Sequence, residues 1–154
     1  MKNILLIAGA CAGLWSGVVS AAGVVAEKSE RGNVEFFDSG RFGDLPFSEG
    51  VRVGKMLFLS GEIGETADGK LVPGGIQAEA AQALENIKAS LAKQGYRMSD
   101  VVKCTAFLAD MAEWPAFNVV YKSYFSKPYP ARSAFGATGL AYNARVELEC
   151  IAAK

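Results

Sequence analysis

Residues 76–108 read IQAEAAQALENIKASLAKQGYRMSDVVKCTAFL, and the change of period inside this stretch decides the fold class. Ile76, Ala80, Ala83, Leu84, Ile87 and Leu91 recur at the spacing of one helix face, while Glu79, Gln82, Glu85 and Lys93 fall mostly elsewhere. The spacing predicts a helix over 76–94, stopped at Gly95, which takes a left-handed cap without steric cost. From Val101 the period drops to two. Val102, Cys104, Ala106 and Leu108 share one face and Lys103 and Thr105 the other, which predicts a strand over 101–108.

Working outward, Asp110 and Pro115 mark the start of a second helix that runs to about Phe125. Trp114, Phe117, Tyr121 and Tyr124 form its inner stripe, read as core rather than as a ligand platform. Closing strands are expected at 131–135 and 145–152. Upstream, 34–37 reads as a short strand, and 51–53 and 56–60 as strands around a Gly54-Lys55 turn. The Gly- and Pro-rich stretch 61–75 reads as loop, and the charged 27–33 as linker. Strands, helix, strand, helix, strands make an α+β chain, with one mixed sheet and both helices packed on one face in two layers. The last strand places Val146, Leu148 and Cys150 toward the helices and Glu147, Glu149 and Ile151 on the other side. A face that mixes carboxylates with apolar residues is a candidate subunit interface holding a site.

Composition narrows the chemistry. The chain has 154 residues, 51% hydrophobic and 21% charged, which suits one globular domain with its own core. Lys plus Arg number 16, as do Asp plus Glu, so no basic surplus exists to meet a phosphate backbone and nucleic acid is not an expected partner. Histidine is absent, which removes imidazole bases, Ser-His and Cys-His nucleophile pairs, and metal sites built on imidazole. Residues 1–22 read as an export signal: Lys2, an apolar run over 4–19, then Ser20, Ala21 and Ala22 as small residues for cleavage. The alternative is an uncleaved membrane anchor, since 3–26 carries no charge. Export places the mature chain in the periplasm or outside the cell, with no membrane partner after cleavage. Cys104 and Cys150, the cysteines outside the signal, are read as buried apolar thiols in preference to a single bridge.

The stretch from 130 to 152 carries the strongest resemblance. Pro130-Ala131-Arg132-Ser133 is followed by Arg145-Val146-Glu147-Leu148-Glu149-Cys150-Ile151-Ala152. Pro46-Phe47-Ser48-Glu49-Gly50, Leu59-Ser60-Gly61-Glu62-Ile63-Gly64, Gln82-Ala83-Leu84-Glu85-Asn86-Ile87, Asp100-Val101-Val102-Lys103 and Asn118-Val119-Val120-Tyr121 precede it in order. Together they resemble the RidA (YjgF) family over about 47–153. The domain plan is then a signal over 1–22, a linker and first strand region over 23–44, and a RidA-like domain over 45–154. The resemblance implies a chorismate-mutase-like fold and a homotrimer with clefts between subunits. It implies hydrolysis of reactive enamines and imines of the 2-aminoacrylate/2-iminopropanoate type to keto acids and ammonia, without metal or organic cofactor. By position, Arg132 would hold the substrate carboxylate, and Glu149 would position water and relay protons. Ser60, Gly61, Phe47, Asn118 and Tyr121 would line the cleft. The chemistry is apt, because a guanidinium matches a planar carboxylate with a fork of donors that lysine lacks. A partly buried carboxyl can act as base and then as acid. Taken alone, Arg132 reads first as an ion-pair partner of Glu147 or Glu149; the ordered resemblance turns the reading to substrate. Two departures stand out: Phe47 where a Tyr is common, and Ala134 where many members carry Cys. Rival readings are a non-catalytic trimer that binds small acids or unfolded chains, a nuclease, and a hydrolase of another C–N bond.

Overall fold

The computed structural model describes residues 25–28 and 32–154, and the expected signal segment lies outside them. Its strands are β1 (Val25–Lys28), β2 (Val34–Asp38), β3 (Gly50–Val53), β4 (Met56–Leu59), β5 (Glu62–Ile63), β6 (Val101–Leu108), β7 (Ala131–Gly136) and β8 (Val146–Ala153). The helices are α1 (Gly75–Lys93) and α2 (Trp114–Tyr124). The sheet order is β1-β2-β3-β4-β8-β6-β7, with β5 paired to β8 beside β4. Pairings are antiparallel except β6 with β7, which are parallel because α2 carries the chain back across the sheet between them.

β8 alternates as its sequence dictates. Val146, Leu148, Cys150 and Ala152 are buried under the helices, and Glu147, Glu149 and Ile151 face away. On the helix side they join Leu57, Leu59, Ala106 and Leu108 from neighbouring strands and Ala80, Ala83, Leu84, Ile87 and Leu91 from α1. Phe117 and Tyr121 of α2 close the same core. α1 ends as expected: Gly95 is left-handed at φ 78°, its N–H donates to Ala92 O, and the N–H of buried Tyr96 donates to Leu91 O. These two bonds close the last helical carbonyls. Asp110 caps the turn that opens α2, accepting from the Ala112 N–H at 2.8 Å.

Four expectations need correction. Glu27 and Lys28, read as linker, belong to β1, which pairs antiparallel with β2; backbone bonding to a neighbouring strand overrides their polarity. Glu62–Ile63, read as loop, forms β5 on β8. Val102 does not face the core. The ladder between β6 and β8 runs Val101–Ala152 and then Lys103–Ile151, so Val102 is an inserted residue, and Val101 is buried in its place.

The fourth correction concerns the cysteines. Cys104 and Cys150 are register partners on β6 and β8, both buried on the helix side, and their sulfurs form a disulfide. Directly opposed residues of an antiparallel pair point to the same face, so the strand pairing brings the two thiols together. The bridge spans a sequence separation of 46 residues. Replacing both cysteines with alanine is expected to lower the unfolding free energy of the oxidised protein by about 2–4 kcal/mol. Urea unfolding checks this, and an unchanged midpoint would contradict it.

Candidate active site

The residues singled out from the sequence fall into two groups on opposite faces of the sheet. Arg132 on β7 is the register partner of Cys104 and so projects toward the helices. Its guanidinium lies over the rings of Tyr121 at 4.6 Å, Phe117 at 5.4 Å and Trp114 at 6.0 Å. The aromatic stripe of α2, expected to serve only as core, also seats this cation, an arrangement worth about 0.5–2 kcal/mol where water is excluded. Asn118, Tyr121, Lys122, Tyr129, Pro130 and Arg132 line a cavity of about 230 Å³. Asn118 and Tyr121 therefore do stand with Arg132. Burial pushes the Tyr121 phenol up to about 12 even though the Arg132 charge pulls it down, so it stays a neutral donor at physiological pH.

Glu149 occupies the other face. It is the register partner of Thr105, which in turn pairs with Ser133, so the three form one row on the helix-free side. A smaller hollow of about 170 Å³ includes Glu149, Thr105, Lys103, Phe58 and Ile151 in its lining. Gly61 lies against Glu147, the carboxylate two residues before Glu149 on the same face. A Cβ on Gly61 would meet Glu147 Oε1 at 2.0 Å, so glycine leaves the space that this carboxylate fills. Burial raises the Glu147 carboxyl above its usual range, and the charge of Glu149 adds to the effect. Ser60 donates from Oγ to the Ser48 carbonyl at 2.6 Å and from its N–H to Glu49 O at 3.1 Å. These bonds tie β4 to the segment carrying Phe47. Phe47 itself is exposed and packs its ring on Phe42 at 5.0 Å.

Within one chain, then, Arg132 and Glu149 are not brought together, and an intrachain ion pair between Arg132 and either Glu147 or Glu149 is ruled out by the sheet that separates them. Sequence reasoning placed Glu147 on the same face as Glu149 and named it as a possible partner for Arg132, but gave it no role of its own in the site. Its period-two relation to Glu149 and the glycine opposite were the signals for a second carboxylate. Lys122 and Tyr129 were not singled out; Lys122 follows Asn118 by one helical turn, which put it on the same face. Among the described residues, no group of three or more Cys, Asp or Glu side chains is placed to hold a metal ion.

Comparison with known proteins adds to this geometry. A family model described as Endoribonuclease L-PSP matches residues 43–154. A 2-iminobutanoate/2-iminopropanoate deaminase of Dermatophagoides farinae is 45% identical over 107 residues, 69% of this chain and 84% of its own. The crystal structure of RidA from the Antarctic bacterium Psychrobacter sp. is similar at a TM-score of 0.69 with 34% identity, over 73% of this chain and 91% of that one. The chain belongs to the RidA family. The RidA-type fold is likewise shared with a Thermotoga maritima protein described as a putative endoribonuclease, at a TM-score of 0.70 and 40% identity, over 73% of this chain and 89% of that one. Its α+β sheet with two helices on one face is the RidA architecture expected from the sequence.

Proposed function

We propose that this RidA-family chain hydrolyses reactive enamine and imine intermediates of amino acids, of the 2-aminoacrylate/2-iminopropanoate type, to 2-keto acids and ammonia, in clefts between the subunits of a homotrimer. The observation that carries it is the disposition of Arg132. It is a guanidinium without an ion-pair partner among the described residues, held on an aromatic stack at the wall of a donor-lined cavity. Such a group is preorganised for a planar carboxylate, at little further entropic cost. The deaminase relatives supply the substrate class.

In this reading Arg132 anchors the substrate carboxylate, with Asn118 and Tyr121 donating beside it. Glu149, supplied by a neighbouring subunit, takes a proton from water as the oxygen attacks the imine carbon. The C=N bond becomes a C–N single bond in a carbinolamine. Glu149 returns that proton to nitrogen and then relays the hydroxyl proton to the same nitrogen as the C–N bond breaks, so ammonia leaves and the oxygen becomes the keto group. Glu147, with its raised carboxyl, shares the face and is a second proton holder. Phe47 and Ala134 replace a hydroxyl and a thiol found in many relatives, so their cleft walls offer packing rather than proton transfer.

Two features support assembly. The helix-free face exposes Phe36, Val53, Met56, Phe58 and Phe135, an apolar surface that a symmetric oligomer would bury. The separation of Arg132 from Glu149 also makes a one-chain site incomplete. Deamination of 2-iminopropanoate, generated in situ by an amino-acid oxidase and trapped with semicarbazide, tests the activity; a correctly assembled wild type without turnover would favour the binding-protein alternative. Subunit mixing tests the cleft. Arg132→Ala and Glu149→Ala proteins, each inactive alone, are expected to regain part of the activity after joint unfolding and refolding. A mixture that stays inactive while mixed trimers form would place both groups in one subunit's site.

Export to an oxidising compartment belongs to the same proposal. The buried Cys104–Cys150 bridge suits such a compartment and would be uncommon in a reducing cytosol. Intact mass of the exported protein is expected to show a start near Ala22 or Gly23; a mass retaining the first residues would support the anchor instead.

A further inference from the structure

The geometry points to a second anion subsite beside Arg132, formed by Lys122, which directs the enzyme to imino acids that carry two carboxylates; this rests on the deaminase reading. The cavity lined by Asn118, Tyr121, Lys122, Tyr129 and Arg132 contains two cations and no acidic side chain. Among the other described cations, Arg41, Arg52, Lys70, Lys88, Lys93 and Arg145 each pair with a carboxylate, whereas Lys55, Arg97, Lys103, Lys127 and Lys154 do not. Arg132 and Lys122 have no such partner among the described residues, although both open on the same space.

Two like charges in one cavity oppose each other, and a dianion that reaches both removes the repulsion and gains two charge-assisted contacts. The two cations are held on different elements. The guanidinium of Arg132 is fixed from β7 on the rings of Tyr121 and Phe117, and Lys122 projects from α2 one turn after Asn118. The remaining groups are donor-rich. The Tyr121 hydroxyl is buried, with the residue only 4% exposed, and has no hydrogen-bond partner; a buried hydroxyl in that state calls for an acceptor from a ligand. Asn118 and Tyr129 add further donors to the wall. The space is about 230 Å³ and open to solvent, so no closed wall excludes a second carboxylate. The substrate class is therefore the imines of aspartate and glutamate: the α-carboxylate on Arg132, the side-chain carboxylate on Lys122.

The test compares kcat/KM for the imines of aspartate, glutamate and alanine, each made in situ by the matching oxidase, in wild type and Lys122→Gln. Wild type is expected to favour a dicarboxylate imine, and Lys122→Gln to lower the dicarboxylate-to-monocarboxylate ratio about tenfold, through KM, the effect of one contact to a charged group. Turnover of the alanine imine without dicarboxylate preference, or a ratio unchanged in Lys122→Gln, overturns the inference and leaves the deaminase reading standing. Calorimetric binding of 2-oxoglutarate and pyruvate to both proteins decides the subsite without turnover. Tighter 2-oxoglutarate binding that depends on Lys122, in a protein that hydrolyses no imine, would keep the subsite and remove the deaminase reading. Equal binding of the two keto acids would remove the subsite.

Discussion

Arg132→Ala is expected to lower kcat/KM for 2-iminopropanoate by about 100-fold or more, because two hydrogen bonds to a charged group, at about 1.5–3 kcal/mol each, disappear together. The loss should appear in KM as well as kcat, since the carboxylate is held both before and during attack of water. Arg132→Lys keeps the positive charge on the aromatic stack but loses the planar fork, and should recover only a small part of the activity. Circular dichroism and light scattering separate this from damage to the fold, a necessary control because the guanidinium also packs on Tyr121 and Phe117. Near-normal kcat/KM in Arg132→Ala would detach Arg132 from the substrate.

The second large effect concerns stability. Glu49 and Glu62 are both buried, at 4% and 3% exposure, and both accept from the Ser90 hydroxyl of α1, at 3.3 and 3.1 Å. Lys93 pairs with Glu49 at 3.0 Å, and Arg41 pairs with Glu62 at 3.0 Å and with Glu65 at 2.7 Å. Burial pushes the Glu62 carboxyl above its usual range; Arg41 opposes this, and the charge of Glu49 adds to it. Glu49 is also opposed by burial, yet hydrogen bonds, those of Lys93 and Ser90 among them, hold it below the usual range. Arg41→Ala strands the Glu62 carboxylate in the interior and should cost about 3 kcal/mol near neutral pH, the low end for a broken buried pair because Arg41 is itself partly exposed. The sign of the pH dependence follows. A carboxyl whose folded pKa is raised binds more protons in the folded chain, so its contribution falls as pH rises from the usual value of 4.5 through the raised one. Without Arg41 that window extends upward. The destabilisation of Arg41→Ala should therefore shrink as pH is lowered toward the usual carboxylate range, and adding Glu62→Gln should relieve much of it. Urea unfolding across pH checks both; a pH-independent loss would assign Arg41 a packing role alone.

Much of this architecture was legible because single-residue periodicity was enough. The stripe from Ile76 to Leu91 fixed α1, Gly95 fixed its end, and the strict alternation of β8 put Glu147 and Glu149 opposite the core. What escaped depends on pairing between strands. An inserted residue such as Val102 leaves the local pattern looking regular, because only the partner strand shows that one position is extra. The disulfide needs the knowledge that Cys104 and Cys150 stand in register, which their spacing does not contain. The Glu27-Lys28 half of β1 is charged and is held in the sheet by backbone pairing with β2. At the site, the residue types were readable from the ordered motifs, but their division between two faces was not: parity within a strand gives a side, and only the ladder of β8, β6 and β7 places Arg132 and Glu149 on different ones.

That division sets how the protein would behave at low abundance. If each cleft takes Arg132 from one subunit and Glu149 from the next, an isolated chain carries two unfinished halves and turns over nothing. Specific activity would then rise with protein concentration and level off only above the dissociation constant of the trimer, by mass action. Dilution would act as an off switch without any ligand, and the amount of enzyme present would determine the fraction of it that works.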